Sequence, residues 1–273
     1  MSWHLYEGDN RDVVPTFAAD SIDAVATDPP YGILGADWDV WPDPQVWHEL
    51  GIVVKPDGLM ALTIAPHVAH ERIPDVVAAG WHVLEVGFWV YGSGRPVSQG
   101  RLKRCYDLVY FFGREQNKLN VEEARGAFQS GAATGNTGCV SRCAGRLGRQ
   151  FGQSGERNYT YGQDYYPANV ACEVDCGAFG LSGYGLIFAV KRTRPIGRRT
   201  EETHPTEKPL DLFAQIVRLV SKPGDTVLDP WMGRATTGKA CIASGRSFAG
   251  IDIKPEYVAM ARRRLETVQM MLG

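Results

Sequence analysis

Short apolar runs that alternate with amphipathic stretches narrow the folds open to this chain more than any other feature. "SIDAVATD", with its apolar run at residues 22–27, reads as a buried strand, as do "DGLMALTIAP", "WHVLEVGFWVYG", "CYDLVYFFG", "DTVLDP" and "SFAGIDI". Between them, "HVAHERIPDVVAAG" is helical through Pro74 and stops at Gly80. "PLDLFAQIVRLV" places Leu210, Phe213, Val217 and Val220 on one helical face, with Pro209 near the first turn. "TTGKACIASG" and "PEYVAMARRRLETV" complete the helices. Strands alternating with helices predict an α/β fold, a doubly wound and mostly parallel sheet with helices on both faces.

The charge is uneven along the chain. Residues 114–200 carry 12 Lys+Arg against 7 Asp+Glu and 14 of the 31 glycines, whereas the remainder carries 17 against 24. That segment lacks apolar periodicity and reads as a basic, loop-rich insertion between two regular halves, 1–113 and 201–273. A solvated excursion without a ligand is the plainer reading of it. No apolar stretch approaches the ~20 residues of a membrane span. The start, "MSWHLYEGDN", has neither a basic region nor an apolar signal core. The expectation is a soluble, cytoplasmic protein without a membrane partner. Six cysteines in 273 residues do not suggest a disulfide scaffold.

In doubly wound sheets, ligands bind beyond the carboxyl ends of the strands, so acids at strand ends matter. In "VLDPWMGRATTG" a strand ends in Asp229, a turn contains Gly233, and a helix begins near Thr236. This is the layout of a nucleotide-binding turn, although it lacks both GxGxxG and the P-loop pattern. About twenty residues on, "FAGIDI" ends in Asp252, where a carboxylate suits a ribose diol or caps the following helix. Asp9 of "YEGDN" reads by itself as a helix cap.

"TDPPYG" ends the strand at residues 22–27 in an acid, two prolines and an aromatic. An exocyclic amine on a base is a poor nucleophile, because its lone pair is delocalised into the ring. A carboxylate that accepts one N–H, with a backbone carbonyl accepting the other, draws that nitrogen toward tetrahedral geometry. Prolines stiffen the turn that presents the carbonyl and remove a competing N–H. A tyrosine face can stack on the base. A plain surface turn would also use Asp-Pro-Pro.

Taken together and in order, "EGDN", "TDPPYG", "HPTEKPLDLF", "VLDPWMGRATTGKA" and "GIDIKPEYVAMA" resemble the motifs of the S-adenosylmethionine-dependent DNA amino-methyltransferases, specifically the permuted beta group. The resemblance implies a Rossmann-like methyltransferase fold with circularly permuted motif order. The chain would start at the third strand of the nucleotide-binding order, and its C-terminal part would supply the first two. It also implies that Asp28, Pro29, Pro30 and Tyr31 handle a flipped base. For the cofactor it implies Asp9 at the adenine end, Asp229 and Gly233 along the methionine part and Asp252 on the ribose, with Asn10, Asp28 and Pro230 also among the cofactor-binding residues. Thr206 and Lys208 would lie near the cofactor carboxylate. The product would be S-adenosylhomocysteine and the partner double-stranded DNA, as in restriction-modification systems of bacteria or phages. Members of the group often pair, and the tryptophan-rich stretch 38–47 is a candidate contact for a homo-oligomer.

The cofactor loop departs from the group's Gly-Ser-Gly, reading Gly233-Arg234-Ala235. The expectation is an alanine with negative φ. In the insertion, Cys139, Cys143, Cys172 and Cys176 form two C-x3-C pairs, open to a zinc reading or to four reduced thiols. "NYTYGQDYY" could stack on bases or form a small core. Arg95, Arg101, Lys103 and Arg104 fall on a loop between two strands, and Arg142, Arg146 and Arg149 lie at near-helical spacing. All seven are candidates for DNA contact, or for solvated surface. Within the resembled group, Asp rather than Ser before Pro-Pro leans toward adenine N6 over cytosine N4, so both bases stay in view. Protein-glutamine methylation, which usually shows Asn at that position, and a silent DNA-binding module are further readings.

Overall fold

The computed structural model describes residues 2–90, 106–115, 117–121, 181–182, 185–189 and 207–272. The chain opens with β1 (Trp3–Glu7), a short helix α1 (Asn10–Val13) and a 3-10 turn (Val14–Thr16). Then come β2 (Ile22–Thr27), α2 (Pro44–Val53), β3 (Val54–Ile64), α3 (Pro66–Ala78), β4 (His82–Val90) and β5 (Tyr106–Gly113). Two short strands follow, β6 (Leu181–Ser182) and β7 (Gly185–Ala189). The last stretch is α4 (Leu210–Val220), β8 (Thr226–Asp229), α5 (Thr236–Ala243), β9 (Ser247–Asp252) and α6 (Pro255–Leu272). Among the described residues, no helix is long and apolar enough to cross a membrane.

The strands form one sheet in the order β1-β9-β8-β2-β3-β5-β4-β7-β6. From β1 to β3 every pairing is parallel, and β5 then runs antiparallel to both β3 and β4. β1 lies beside β9, with Leu5 opposite Gly250 and Glu7 opposite Asp252, so the two ends of the sequence meet in one half of the sheet. The winding reverses between β8 and β2, where Ala24 faces Val227. Because β1, β9, β8 and β2 are parallel, their acidic C-terminal ends come out along one edge. Within the basic stretch 114–200, β7 adds to the sheet in parallel beside β4.

Helices cover both faces, and the core is correspondingly double. On one face Phe213, Ile216 and Val217 of α4 meet Ala240 and Cys241 of α5, Phe248 of β9 and Leu265 of α6. On the other, Val46, Trp47 and Leu50 of α2 meet Met60 and Leu62 of β3 and Ile73 and Val76 of α3. β2 is apolar on both sides because it lies between these layers, with Ala24 and Ala26 facing one and Val25 the other. Helix α2 does not follow from the apolar patterning, yet its start has ordinary signals. Asp43 caps it by accepting from Gln45 N at 2.9 Å, and Pro44 occupies its first turn. Leu210, expected on the buried face of α4, is 38% exposed. Leu212 and Leu219 are buried in its place, because α4 packs against α5 as well as the sheet and so buries a wider stripe.

Gly250 lets the loop after β8 close down on β9. A Cβ there would stand 2.5 Å from Met232 Sδ and 2.7 Å from the Phe248 ring, while Met232 N donates to Ile251 O at 3.0 Å. Replacing Gly250 with alanine should destabilise the fold by about 1–3 kcal/mol through overpacking. Urea denaturation reads this directly, and a midpoint equal to wild type would rule out so close an approach.

Candidate active site

The acidic strand ends converge on one cavity of about 820 Å³. Asp9 and Asn10 line it from the end of β1, Asp28 to Tyr31 from β2, Asp229 and Pro230 from β8, and Asp252 from β9. Gly233 and Lys208 also reach it. Every described residue assigned to base or cofactor from the sequence therefore lies at one site.

Asp229 is 3% exposed. Its Oδ1 accepts from Thr27 Oγ1 at 2.7 Å and from Trp231 N at 3.2 Å, and its Oδ2 accepts from Thr237 Oγ1 at 2.6 Å. One carboxylate thus joins β8 to the end of β2 and the start of α5. Burial pushes its carboxyl up to about 7, although the three hydrogen bonds pull the other way. Asp252 serves the neighbouring loop. Its Oδ2 accepts from Gly233 N at 3.0 Å and its Oδ1 from Lys254 N at 2.9 Å. Burial raises its carboxyl above the ordinary value, with the Lys254 and Gly233 amides opposing.

Asp9 caps α1 through Arg11 N at 2.9 Å and pairs with the Arg11 guanidinium at 2.6 Å. That hydrogen bond holds its carboxyl below the usual range. Asn10 Nδ2 donates to Pro230 O at 3.4 Å, which joins two of the predicted cofactor segments.

At the end of β2, Asp28 is held from three sides. Tyr31 Oη donates to Asp28 Oδ1 at 2.7 Å, and Thr63 Oγ1 of β3 donates to the same oxygen. Lys208, expected beside the cofactor carboxylate, pairs with Asp28 Oδ2 at 2.5 Å and lies 5.2 Å from the Tyr31 ring centroid. Burial, with the Asp28 charge beside it, raises the Tyr31 phenol well above its ordinary value, so it acts as a donor.

The departure at residues 233–235 is resolved by a network. Arg234 Nη1 donates to Glu207 Oε2 at 3.0 Å, and Arg264 Nη2 donates to Glu207 Oε1 at 2.7 Å. Arg264 Nη1 also donates to Arg234 O at 2.8 Å. The cation at the serine position therefore turns to Glu207 of "TEKP" and ties the loop to α6. Ala235 corrects an expectation. Its φ is +55° and ψ +48°, in the left-handed region, rather than at negative φ. An L-residue there costs about 1–2 kcal/mol relative to glycine. The methyl is fully buried in the core, which offsets part of that strain.

With the geometry in place, the comparisons with known proteins are specific. The sequence profile of the family described as DNA methylase matches residues 22–263. This chain belongs to the DNA methylase family. "DNA adenine methyltransferase YhdJ" of Escherichia coli is 54% identical to this chain over 65 residues, 24% of this chain and 22% of that one. "Type II methyltransferase M2.DpnII" of Streptococcus pneumoniae is 48% identical over 63 residues, 23% of this chain and 24% of that one. The match thus spans less than a quarter of the length of either curated relative. Among solved structures, the M1.HpyAVI–SAM complex has a TM-score of 0.58 at 19% identity, over 96% of this chain and 100% of that one. The cytosine-N4-specific PvuII DNA methyltransferase has a TM-score of 0.62 at 15% identity, over 99% and 91%. Both likenesses are of the fold, a Rossmann-like mixed sheet with helices.

Some expectations for this chain lie outside the described residues: Thr206, the cations Arg95, Arg101, Lys103, Arg104, Arg142, Arg146 and Arg149, and the four insertion cysteines. Among the described residues there is no cluster of metal-ligating side chains. Sequence reasoning missed Thr27, Thr63, Thr237, Asp39 and Glu207. For Thr27 and Thr63 a signal exists, a hydroxyl near the end of a buried apolar run, where a polar group needs a partner. Glu207 and Thr237 sit inside quoted motifs without a distinguishing pattern.

The Asp229 carboxyl binds its proton more tightly in the folded state than unfolded. Its stabilising contribution is complete below about pH 4 and is lost as pH rises through about 7. Asp229→Asn keeps an acceptor but cannot ionise. The melting temperature of the variant minus that of wild type should therefore increase from pH 5 to pH 8. A constant difference in paired thermal melts would show that Asp229 titrates normally.

Proposed function

We propose that this protein is a site-specific DNA methyltransferase that moves a methyl group from S-adenosylmethionine to N6 of an adenine flipped out of the duplex. The observation that carries the proposal is the grip on Asp28, beside Asp229, at the point where the sheet reverses its winding.

The residues present suit the cofactor. Its cationic amino group fits a cavity where burial pushes the Asp229 carboxyl up to about 7, since a positive charge beside it would favour the ionised form. Asp252 keeps unused lone pairs beyond its two amide partners, enough for hydroxyl groups. A Cβ on Gly233 would meet no atom within 4 Å, so the backbone there borders open space. When bound, S-adenosylmethionine supplies an electrophilic methyl group on a sulfonium.

The chain's own residues prepare the nucleophile. Tyr31 and Thr63 occupy Asp28 Oδ1, and Lys208 occupies one direction on Oδ2. A carboxylate has about four acceptor directions, so one on Oδ2 is left for the N–H of an arriving amine. Lys208 neutralises the charge beside that direction, and Tyr31 and Thr63 prevent the carboxylate from rotating away. Pro29 and Pro30 bring carbonyls to the cavity wall without competing N–H groups. Tyr31 is half-buried, and the part of its ring that lines the cavity is available for stacking on the base.

Adenine is favoured by the acid at position 28 and by the YhdJ likeness. The basic residues of 95–104 and 142–149 are proposed to meet DNA phosphates and base edges. Expression in a host free of DNA methylation, followed by digestion to nucleosides and mass spectrometry, should reveal N6-methyladenine. N4-methylcytosine would move the assignment to the other base, and neither product would end the proposal. Asp28→Ala should lower transfer by about a hundredfold or more while S-adenosylmethionine binding by calorimetry stays close to wild type. Normal transfer in that variant would remove Asp28 from the mechanism.

A homo-oligomer is proposed as the working form. The stretch 38–47 is less available for this than its composition suggests, because Val46 and Trp47 are buried in this chain's own core. Trp38 and Val40 are exposed, next to exposed Ile33 and Leu34. Light scattering at micromolar concentration should give at least a dimer mass. A monomer mass with and without DNA would contradict it.

A further inference from the structure

Asp39 has no part in the reading above, yet among the described residues no other side chain in the site is so fully engaged by backbone. It is 6% exposed. Its Oδ1 accepts from Tyr31 N at 3.0 Å and Gly32 N at 3.1 Å. Its Oδ2 accepts from Ile33 N at 2.6 Å and from Leu34 N. Four consecutive amides thus end on one carboxylate and use all of its acceptor directions.

The need for this arises in the sequence. Pro29 and Pro30 carry no N–H, and the next four amides leave the sheet with no strand beside them to accept their hydrogen bonds. Without an acceptor of their own in the protein, these amides would leave the turn free to change shape with the water around it. Gly32 at φ +72° and Gly35 at φ +68° supply the left-handed turns that curl residues 31–34 around a single acceptor.

Asp39 is itself anchored to the body of the protein. Its own amide donates to Ala36 O at 2.8 Å. Two residues later, Trp41 Nε1 donates to Asp75 Oδ2 of α3 at 3.0 Å, and its ring packs 5.4 Å from that of Trp47 in α2. Trp47 in turn packs 5.2 Å from Trp231, in the loop after Asp229. The clamp on residues 31–34 is therefore referenced to the core layer of α2 and α3 rather than to a free loop.

We propose that Asp39 is a positioning residue for methyl transfer, setting the geometry of the Pro30–Tyr31 peptide and of the Tyr31 hydroxyl on Asp28; this rests on the function proposed above. The peptide is trans, so its N–H and C=O point in opposite directions. With Tyr31 N–H bound to Asp39, the Pro30 carbonyl is aimed away from Asp39 and cannot rotate. The same anchor fixes the Tyr31 backbone from which its hydroxyl reaches Asp28 Oδ1. Asp39 touches neither base nor cofactor and acts through Pro30, Tyr31 and Asp28.

The test uses the full-length protein, tritiated S-adenosylmethionine and DNA from a host free of methylation. Asp39→Asn keeps the shape but turns one half of the acceptor into a donor facing two amides. It should lower kcat at saturating DNA at least tenfold, with the S-adenosylmethionine Kd within twofold of wild type. Hydrogen exchange at amides 31–34 should accelerate at least tenfold. Asp39→Glu, the second variant should the first not fold, keeps the charge but moves it by one methylene, and it should not restore the rate. Wild-type kcat in either folded variant would overturn the proposal. So would unchanged exchange, or a loss of kcat matched by an equal loss of cofactor affinity, the mark of general unfolding. A wild-type protein that transfers no methyl group to DNA would instead defeat the functional reading, and exchange at 31–34 would then decide the clamp by itself.

Discussion

The hydrogen bonds of Asp229 to Thr27 and Thr237 hold together the place where this sheet changes its direction of winding. Two parallel strands, β8 and β2, leave a crevice at their carboxyl ends because the chain departs from them toward opposite sides. A buried carboxylate across that crevice, satisfied by a hydroxyl from each side, keeps it from opening or collapsing. Its cost is a carboxyl raised by burial to about 7, a tension that a positively charged ligand would relieve.

Around that point the loops are disciplined by acceptors rather than by packing. Asp252 takes the Gly233 amide, Asp39 takes four amides after the proline pair, and Glu207 takes both Arg234 and Arg264. Loops at a ligand site cannot use a sheet partner for their N–H groups, since the space beside them must stay open. Carboxylates solve this, because each offers several acceptor directions and makes charge-assisted bonds.

The Arg234–Ala235 departure shows how such a loop tolerates substitution. A residue in the left-handed region is held by the fully buried Ala235 methyl and by the ties through Glu207 to α6. A Cβ on Gly233 ahead of it would meet no atom within 4 Å, where the cavity begins.

Periodicity in the sequence was enough to place most of the strands and helices, because each buries a face whose spacing survives in the primary structure. The strand at residues 22–27 and the acids Asp28, Asp229 and Asp252 at strand ends were legible for the same reason. Their gathering into one site followed from motif order and from the rule that parallel strands share a ligand edge. Helix α2 was not, since the tryptophans and prolines in and just before its first turns mask an ordinary capped start. Nor was the partner of any polar group. Lys208 meets Asp28 across 180 residues, and Thr27 meets Asp229 across 202. Those pairings depend on which strand ends lie side by side, and that is set by the packing of the whole sheet. The role of Asp39 has the same origin. A carboxylate five to eight residues from its amides looks like any loop acid until the chain curls, and only the tertiary structure decides that it does.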